Sequence, residues 1–527
     1  LAAPPEDGAV FALPPLERCG ELLAENARRL ERDVEIGGLS LTELRQIART
    51  SFLQEAAEYL RQADEPVPSI KGRCVLMGGH QPELFHPGVW LKNFALAGLA
   101  RRYDAVAVNI IVDSDTMKSA HVRVPAPSDG QSPFPHLRTV AFDRWQGEVP
   151  YESCAVQDEA MFAGFADEAG AILKSWRLNA LLPEYWQMAL HQAPRTNLLG
   201  ERLVAARRML ERSWGCHNLE VPISRLCRTE SFARLTYHLL EALPLLHAVY
   251  NECVRAHRRL HRMRSRNHPV PDLAAEGDWL EVPLWAWRAG QKQRGRLFAR
   301  RRIGVFELRA GGEAWPSLPA DADRAVAALL DLFGQGFALR TRALLTAMYA
   351  RLLLGDLFIH GIGGAKYDEL TDRIMQRFFG IEPPHFVALS GTLRLPLPAY
   401  PVSSADRARL GREMRDLRFN PQRHLEEFAS VSSSLGELAE RKRRWIADRP
   451  DDSVRLRERH WELKELNRQM APYFDEAHSR LGDESALVNV KLHANAVLQR
   501  RDYAFCLYPE SLIRPFCTQM LKAGEAP

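Results

Sequence analysis

Val75-Leu76-Met77-Gly78-Gly79-His80-Gln81-Pro82-Glu83-Leu84-Phe85-His86-Pro87-Gly88-Val89-Trp90-Leu91-Lys92 decides how the rest of this chain is read. An apolar strand runs into two glycines, two histidines and a third glycine follow, and a helix opens with a lysine on its first turn. Leu91, Phe94, Ala95, Gly98 and Leu99 then recur at the spacing of one helical face, and Ala105 to Val112 is a continuous apolar run. Such a run is typical of parallel strands buried on both faces. Strand, loop, helix and strand make a βαβ unit, whose ligands bind beyond the carboxyl ends of the strands. Gly78-Gly79-His80 and Asp113-Ser114-Asp115 both fall at such ends.

The loop has the chemistry of an anion site. Glycines permit close backbone approach, and the free amides of a helix start favour negative charge. His80, His86 and Lys92 would polarise a carboxylate or phosphate held there, with Gly78, Gly79, Gln81 and Gly88 around it. Asp113 and Asp115 flank one residue, so in extended chain they would point the same way. There they would hold an amine, a ribose or Mg²⁺, or one would act as a base; a capped turn is the plainer reading.

A second strand-to-helix turn lies far downstream. Leu357 to His360 reads as a strand, and Gly361-Ile362-Gly363-Gly364 leads into a helix with Tyr367, Leu370, Ile374 and Phe378 on one face. Gly361, Gly363, Gly364, Lys366 and Tyr367 are therefore candidate ligand-binding residues. Both segments are expected to build one sheet, with the two glycine turns meeting in one crevice.

Around this core the chain divides into a helical segment over 1–70, the first half of the core over 71–130, an inserted α/β region over 131–335 and the second core half over 336–420. A helical hairpin or coiled-coil arm over 421–486 and a returning segment over 487–527 complete it. Ser40-Leu41-Thr42-Glu43 reads as a capping box. Helices are expected over 203–214 and 231–262, and strands over 279–287, 296–301 and 304–308. In the arm, helices over 428–446 and 453–481 join at Asp448-Arg449-Pro450-Asp451. Leu456, Leu463, Met470 and Ala477 repeat every seven residues there, with a bend near Pro472. Such a seam also offers a homodimer contact. Residues 503–508 read as a returning strand.

At 527 residues with 46% hydrophobic and 26% charged side chains, the chain has the balance of a globular protein. No apolar run is long enough to span a bilayer, and Leu1-Ala2-Ala3-Pro4-Pro5 has no secretory pattern. Eight scattered cysteines with no Cys-x-x-Cys pair read as free thiols, so a cytoplasmic location is expected. A net charge of +4 does not by itself argue for nucleic acid. Arg255, Arg258, Arg259, Arg262, Arg264 and Arg266, with Arg294, Arg296, Arg300, Arg301 and Arg302, form a basic cluster without a nucleic-acid motif. It reads as solvated surface or an anionic-substrate wall, with nucleic-acid binding as the alternative. His257 and His261 have helical i, i+4 spacing, but these arginines would oppose a cation; His121 with His80, His86 and the aspartates lacks ligand spacing. No metal site is expected.

The order of parts resembles the cysteine-ligase family of bacillithiol biosynthesis, whose members have a Rossmann-like core, connecting insertions and a long coiled-coil arm. Its Gly-Gln-Gln-x-Gly-Leu-Phe-x-Gly-Pro-Leu-Tyr motif and following lysine are matched in order by Gly79 to Trp90 and Lys92. Its acidic Glu-Asp-His-Asp segment is matched by Asp113-Ser114-Asp115, and its Gly-Gly-Pro-Gly-Glu-Ile-Ala-Tyr segment by Gly361 to Tyr367. Departures fall at His80, at His86-Pro87 and at the acidic segment, which lacks its histidine. The first loop is also similar to the His-x-Gly-His region of nucleotidyltransferases and class I aminoacyl-tRNA synthetases, but lacks the second histidine.

The resemblance implies an α/β fold with a Rossmann-like parallel sheet, an inserted mixed segment and a C-terminal helical arm. It implies a ligase-like enzyme joining a thiol amino acid or similar carboxylate to an amine of a sugar-derived acceptor. The alternative on the same scaffold is nucleotidyl transfer or adenylation, using ATP with Mg²⁺. The expected partner is a small anionic substrate, with no membrane.

Overall fold

The computed structural model describes residues 1–523 apart from 131, 266, 269, 292 and 429–432. Two compact units divide the chain. Leu1–Val124, Arg138–Arg394 and Arg501–Pro527 form one; Pro125–Leu137 and Leu395–Arg500 form the other.

The first unit is mixed α/β around a mostly parallel six-stranded sheet. Its strands are β1 (Val10–Leu13), β2 (Cys74–His80), β3 (Ala105–Ile111), β4 (Leu219–Pro222), β5 (Leu357–His360) and β6 (Phe386–Gly391), in the order β1-β6-β5-β2-β3-β4. All neighbours are parallel except β1, which runs antiparallel along the β6 edge. Helix α1 (Pro87–Arg102) connects β2 to β3. Helix α2 (Ala343–Tyr349) precedes β5, and α3 (Ile362–Ile374) follows it toward β6.

Strand alternation assigns the two faces of this sheet. Val75 and Met77 join a core cluster with Phe52, Tyr349, Leu370 and Ile374, which puts α3 on their side. Gly78 faces the other way, toward Leu96 of α1. The two crossover helices therefore cover opposite faces, as right-handed connections running in opposite directions along a sheet require. Gly88 of α1 sits so close to the carbonyl oxygen of Gly391 that a β-carbon would collide with it.

The two expected βαβ segments do share one sheet, but two strands were read otherwise. β1 lies in the stretch expected to be helical, beside helices Cys19–Leu30 and Leu41–Gln62. β4 lies in the stretch expected to be wholly inserted. Each has four residues, too few to set an alternation against its surroundings. The Ser40–Glu43 capping box is present at the start of Leu41–Gln62.

The rest of the inserted region includes the strands Glu313–Pro319, Val305–Ala310, Gly295–Arg302 and Trp279–Arg288 of an antiparallel sheet, in that order, and Phe337–Thr341, from the stretch expected as the second core half, pairs with the last of them. The single helix expected over 231–262 is two, Glu230–Glu241 and Leu243–Leu260, with Pro244 in the first turn of the second. Residues 505–507 form a 3-10 turn where a strand was expected.

The second unit is mainly helical. Ser404–Phe419 packs along Asp475–Leu498, and Ser433–Ala447 packs on Ser453–Met470. The helix expected over 453–481 breaks into a 3-10 turn at Ala471–Phe474, where Pro472 removes an amide donor. Residues 429–432 of the expected 428–446 helix lie outside the described residues. Leu417, Leu435, Ala439, Met470, Phe474 and Ala477 form the core, while Leu456 of the heptad set is exposed. Among the described residues of the chain, no helix is long and apolar enough to cross a membrane. Among the described residues, none of the eight cysteines is joined in a disulfide.

Candidate functional site

The chain leaves β2 toward β3 on one side and β5 toward β6 on the other. These neighbouring strands thus diverge at their carboxyl ends, and such a reversal opens a crevice in a parallel sheet. A cavity of about 430 Å³ occupies that place. Gly79, His80, Gln81, His86, Gly88 and Lys92 line it from the first loop and α1; Gly361, Gly363, Gly364 and Tyr367 line it from the second. The two glycine turns meet, and Lys92 Nζ comes within 3.8 Å of where a β-carbon on Gly361 would stand.

Both helix starts at this crevice lack a side-chain cap. His86 precedes α1 and Gly361 precedes α3, and neither donates nor accepts a capping bond through a side chain. Uncapped first-turn amides attract anions; at α1, Pro87 has no N–H and the Val89 amide bonds His86 O at 2.9 Å, which leaves the Gly88 amide to do so. Because α1 begins at Pro87, Lys92 falls in the second turn, not the first as expected, and its stem is carried inward. Lys92 is buried, its Nζ 3.5 Å from Gly79 O, and burial pushes its pKa down to about 8.

The histidines are electrically different from the lysine. Burial, then the charge of Lys92, pushes His80 down to about 3; burial, then Arg501, pushes His86 down to about 4. Both are neutral near neutral pH and offer one N–H donor each. His80 Nδ1 lies 3.2 Å from Gln81 O, whereas the buried His86 Nδ1 has no hydrogen-bond partner among the described residues. An imidazole nitrogen left unpaired at a cavity wall is a place for a ligand to bond.

The aspartates do not act as a pair. Residues 113–115 form a turn instead of extended chain, so the two side chains diverge. Asp113 is buried, accepts bonds from the Ser224 amide (3.0 Å) and hydroxyl, and lines a different cavity with Tyr59, Glu152 and Arg228. Burial and then Glu152 raise its pKa to about 7. Asp115 accepts from Gln81 Nε2 at 3.0 Å and from Arg294 Nη1 at 3.4 Å. It touches the crevice only through Gln81.

Two other expected residues also stand apart. Gly78 is buried within the sheet against Ile359 and Leu96, and Lys366 is exposed on α3 and does not line the cavity. His121 lines a separate cavity with Lys118, Arg123 and Asp502. Much of the arginine cluster is neutralised locally: Arg255 and Arg258 pair with Asp272, Arg296 with Glu281, Arg300 and Arg302 with Asp278. Arg266 lies outside the described residues.

Among the polar lining residues, Thr346, His360, Asp368, Ser390 and Arg501 were not singled out from the sequence. His360 ends β5 directly before the glycine turn, the same position that His80 holds on β2, and that parallel was a usable signal. Its Nε2 lies 2.6 Å from Asp368 Oδ2, and Arg351 Nη1 reaches the same oxygen at 2.8 Å. Burial pushes the Asp368 carboxyl up, but His360 and Arg351 outweigh it and hold it below the ordinary range. Arg501 donates to Gly391 O at 3.0 Å. Asp368 is the one carboxylate lining the crevice among the described residues, and it is paired; Lys92 and Arg501 give the cavity a positive character.

No protein-family model and no curated protein sequence matches this chain.

Proposed function

We propose that the first unit is a Rossmann-like enzyme core whose crevice takes a small anionic substrate, and that the chain is a ligase-like relative of the bacillithiol cysteine-ligase family. The reading rests on one observation: two uncapped helix starts, the buried Lys92 and Arg501 converge on a single cavity at the reversal of the sheet. Two of the three segments that carry the family resemblance, Gly79 to Lys92 and Gly361 to Tyr367, line that cavity. The third touches it through the Gln81–Asp115 bond.

In this reading the helix amides, Arg501, the Lys92 ammonium and the neutral His80 and His86 hold the carboxylate or phosphate of one substrate. As the attacking amine of the second forms the carbon–nitrogen bond it must shed a proton, and a carbon–oxygen bond of the carboxyl group breaks, its oxygen leaving as water or, where ATP activates the carboxylate, on the phosphoryl or adenylyl group. Histidines with pKa values near 3 and 4 are poor acceptors at neutral pH, whereas Lys92 near 8 is well matched to proton transfer. Lys92 is therefore assigned a relay, its ammonium giving a proton to the departing oxygen and the amine so formed taking the one that the attacking amine sheds, and the histidines are assigned orientation. The second unit supplies the helical arm, a coiled coil in this reading.

Incubating the full chain with L-cysteine and a panel of amino-sugar acceptors, with and without ATP and Mg²⁺, tests this by mass spectrometry. A condensation product that Lys92→Met abolishes supports it. Absence of product with pyrophosphate release would favour the adenylating alternative, for which the apolar wall of Leu344, Ala347 and Phe358 provides a surface for a base.

A further inference from the structure

We propose that His257, His261 and Glu369 form a site for a divalent first-row transition metal, of the Zn²⁺ class, behind the wall of the crevice. His257 lies in the last turn of Leu243–Leu260 and His261 caps it. The backbone bond from His261 N to His257 O (3.0 Å) keeps the helical i, i+4 relation, and the two rings lie side by side, tilted by 42°, with centroids 4.3 Å apart. Glu369 comes from α3, with Oε2 3.2 Å from His261 Nε2. One ligand atom from each of the three lies within 4.8 Å of the other two. Tetrahedral Zn²⁺ with bonds of about 2.1 Å places its ligand atoms about 3.4 Å apart. Small side-chain rotations close that gap.

An independent observation points to a ligand. His257 is 2% exposed, and its Nδ1 has no hydrogen-bond partner among the described residues. A buried imidazole nitrogen is costly to leave unpaired. The carboxyl end of a helix further favours a cation.

Of the arginines that argued against a cation from sequence alone, Arg255 and Arg258 are engaged elsewhere, as is Arg377 nearby. Arg258 bonds Asp272 and the carbonyls of His268 and Val270; Arg255 pairs with the same aspartate; Arg377 pairs with Glu252. Outside the three proposed ligands, Arg373 and His268 are the basic groups whose charge still reaches His257. Two imidazoles and one carboxylate are borderline donors suited to Zn²⁺, Co²⁺ or Ni²⁺ rather than to Ca²⁺ or Mg²⁺. Glu369 directly follows Asp368, and Tyr367 lines the crevice, so a bound ion would tie helix Leu243–Leu260 to α3 at the crevice wall.

The test is calorimetric titration of chelator-treated full-length protein with ZnCl₂, repeated on His261→Gln and Glu369→Gln. Both side chains are solvent-accessible, so these variants are expected to fold, and thermal unfolding without metal checks it. The proposal expects one saturable ion per chain, an affinity lowered by about tenfold or more in each variant, and visible d–d absorption on Co²⁺ loading that His261→Gln removes. Failure to saturate, or Zn²⁺ affinity unchanged in both variants, would overturn it.

Discussion

Lys92 and Gly361 belong to segments that follow different strands, yet Lys92 Nζ lies 3.8 Å from where a β-carbon on Gly361 would project. A buried ammonium at the meeting point of two helix starts is an unfavourable arrangement for the empty protein and a favourable one once an anion is present.

Lys92→Met is therefore expected to stabilise the empty protein while removing anion binding. The Lys92 pKa falls from 10.5 to about 8 on folding, so the folded chain binds fewer protons between those values. Its destabilising effect is full below pH 8 and fades as pH rises toward 10.5, amounting to on the order of 3 kcal/mol. Denaturant unfolding at pH 7 and pH 10 checks this: the gain from Lys92→Met should be large at pH 7 and shrink at pH 10.

Gly363 and Gly364 should respond oppositely to alanine. A β-carbon on Gly364 would stand 2.9 Å from His360 Nδ1, whereas one on Gly363 meets nothing within 4 Å. Gly364→Ala must push the His360 ring off Asp368, at a cost of about 1–3 kcal/mol. Gly363→Ala should gain up to about 1 kcal/mol of helix stability. Thermal melts of the two variants side by side measure the contrast.

Much of this crevice was readable from the chain itself. The βαβ segment from Cys74 to Ile111 declares itself through an apolar run, a glycine stop and a helical face, all local signals. Arg501 does not, because nothing around it marks an arginine that returns from beyond the helical unit to bond Gly391. Asp113 and Asp115 misled for a related reason. Strand periodicity was carried past the end of β3 into a turn, and there alternate residues no longer share a side.

Asp113 predicts a pH effect of its own. Its carboxyl is raised from 3.8 to about 7 by burial and Glu152, so the folded chain holds that proton where the unfolded chain has lost it. The stabilisation is full below pH 3.8 and is lost as pH rises through 7. Asp113→Asn should flatten the stability profile between pH 4 and 7 relative to the wild type while leaving anion binding in the crevice intact. Urea titrations across that range, with phosphate binding measured on the same variant, decide it.

Gly88→Ala should be the most damaging single glycine change at the site. The added carbon would overlap the backbone oxygen of Gly391, which cannot swing aside as a side chain can. Loss of about 3 kcal/mol or more, or failure to fold, is expected. A wild-type melting temperature for this variant would contradict the packing of α1 on β6.

The most direct measurement is calorimetric titration of the full chain with inorganic phosphate and pyrophosphate, on the wild type, Lys92→Met and Arg501→Gln. One saturable site is expected, abolished by Lys92→Met, weakened by Arg501→Gln, and weaker above pH 8 as the ammonium loses its proton. No saturable binding in the wild type, or equal binding in all three proteins, would contradict the assignment of this crevice to an anionic substrate.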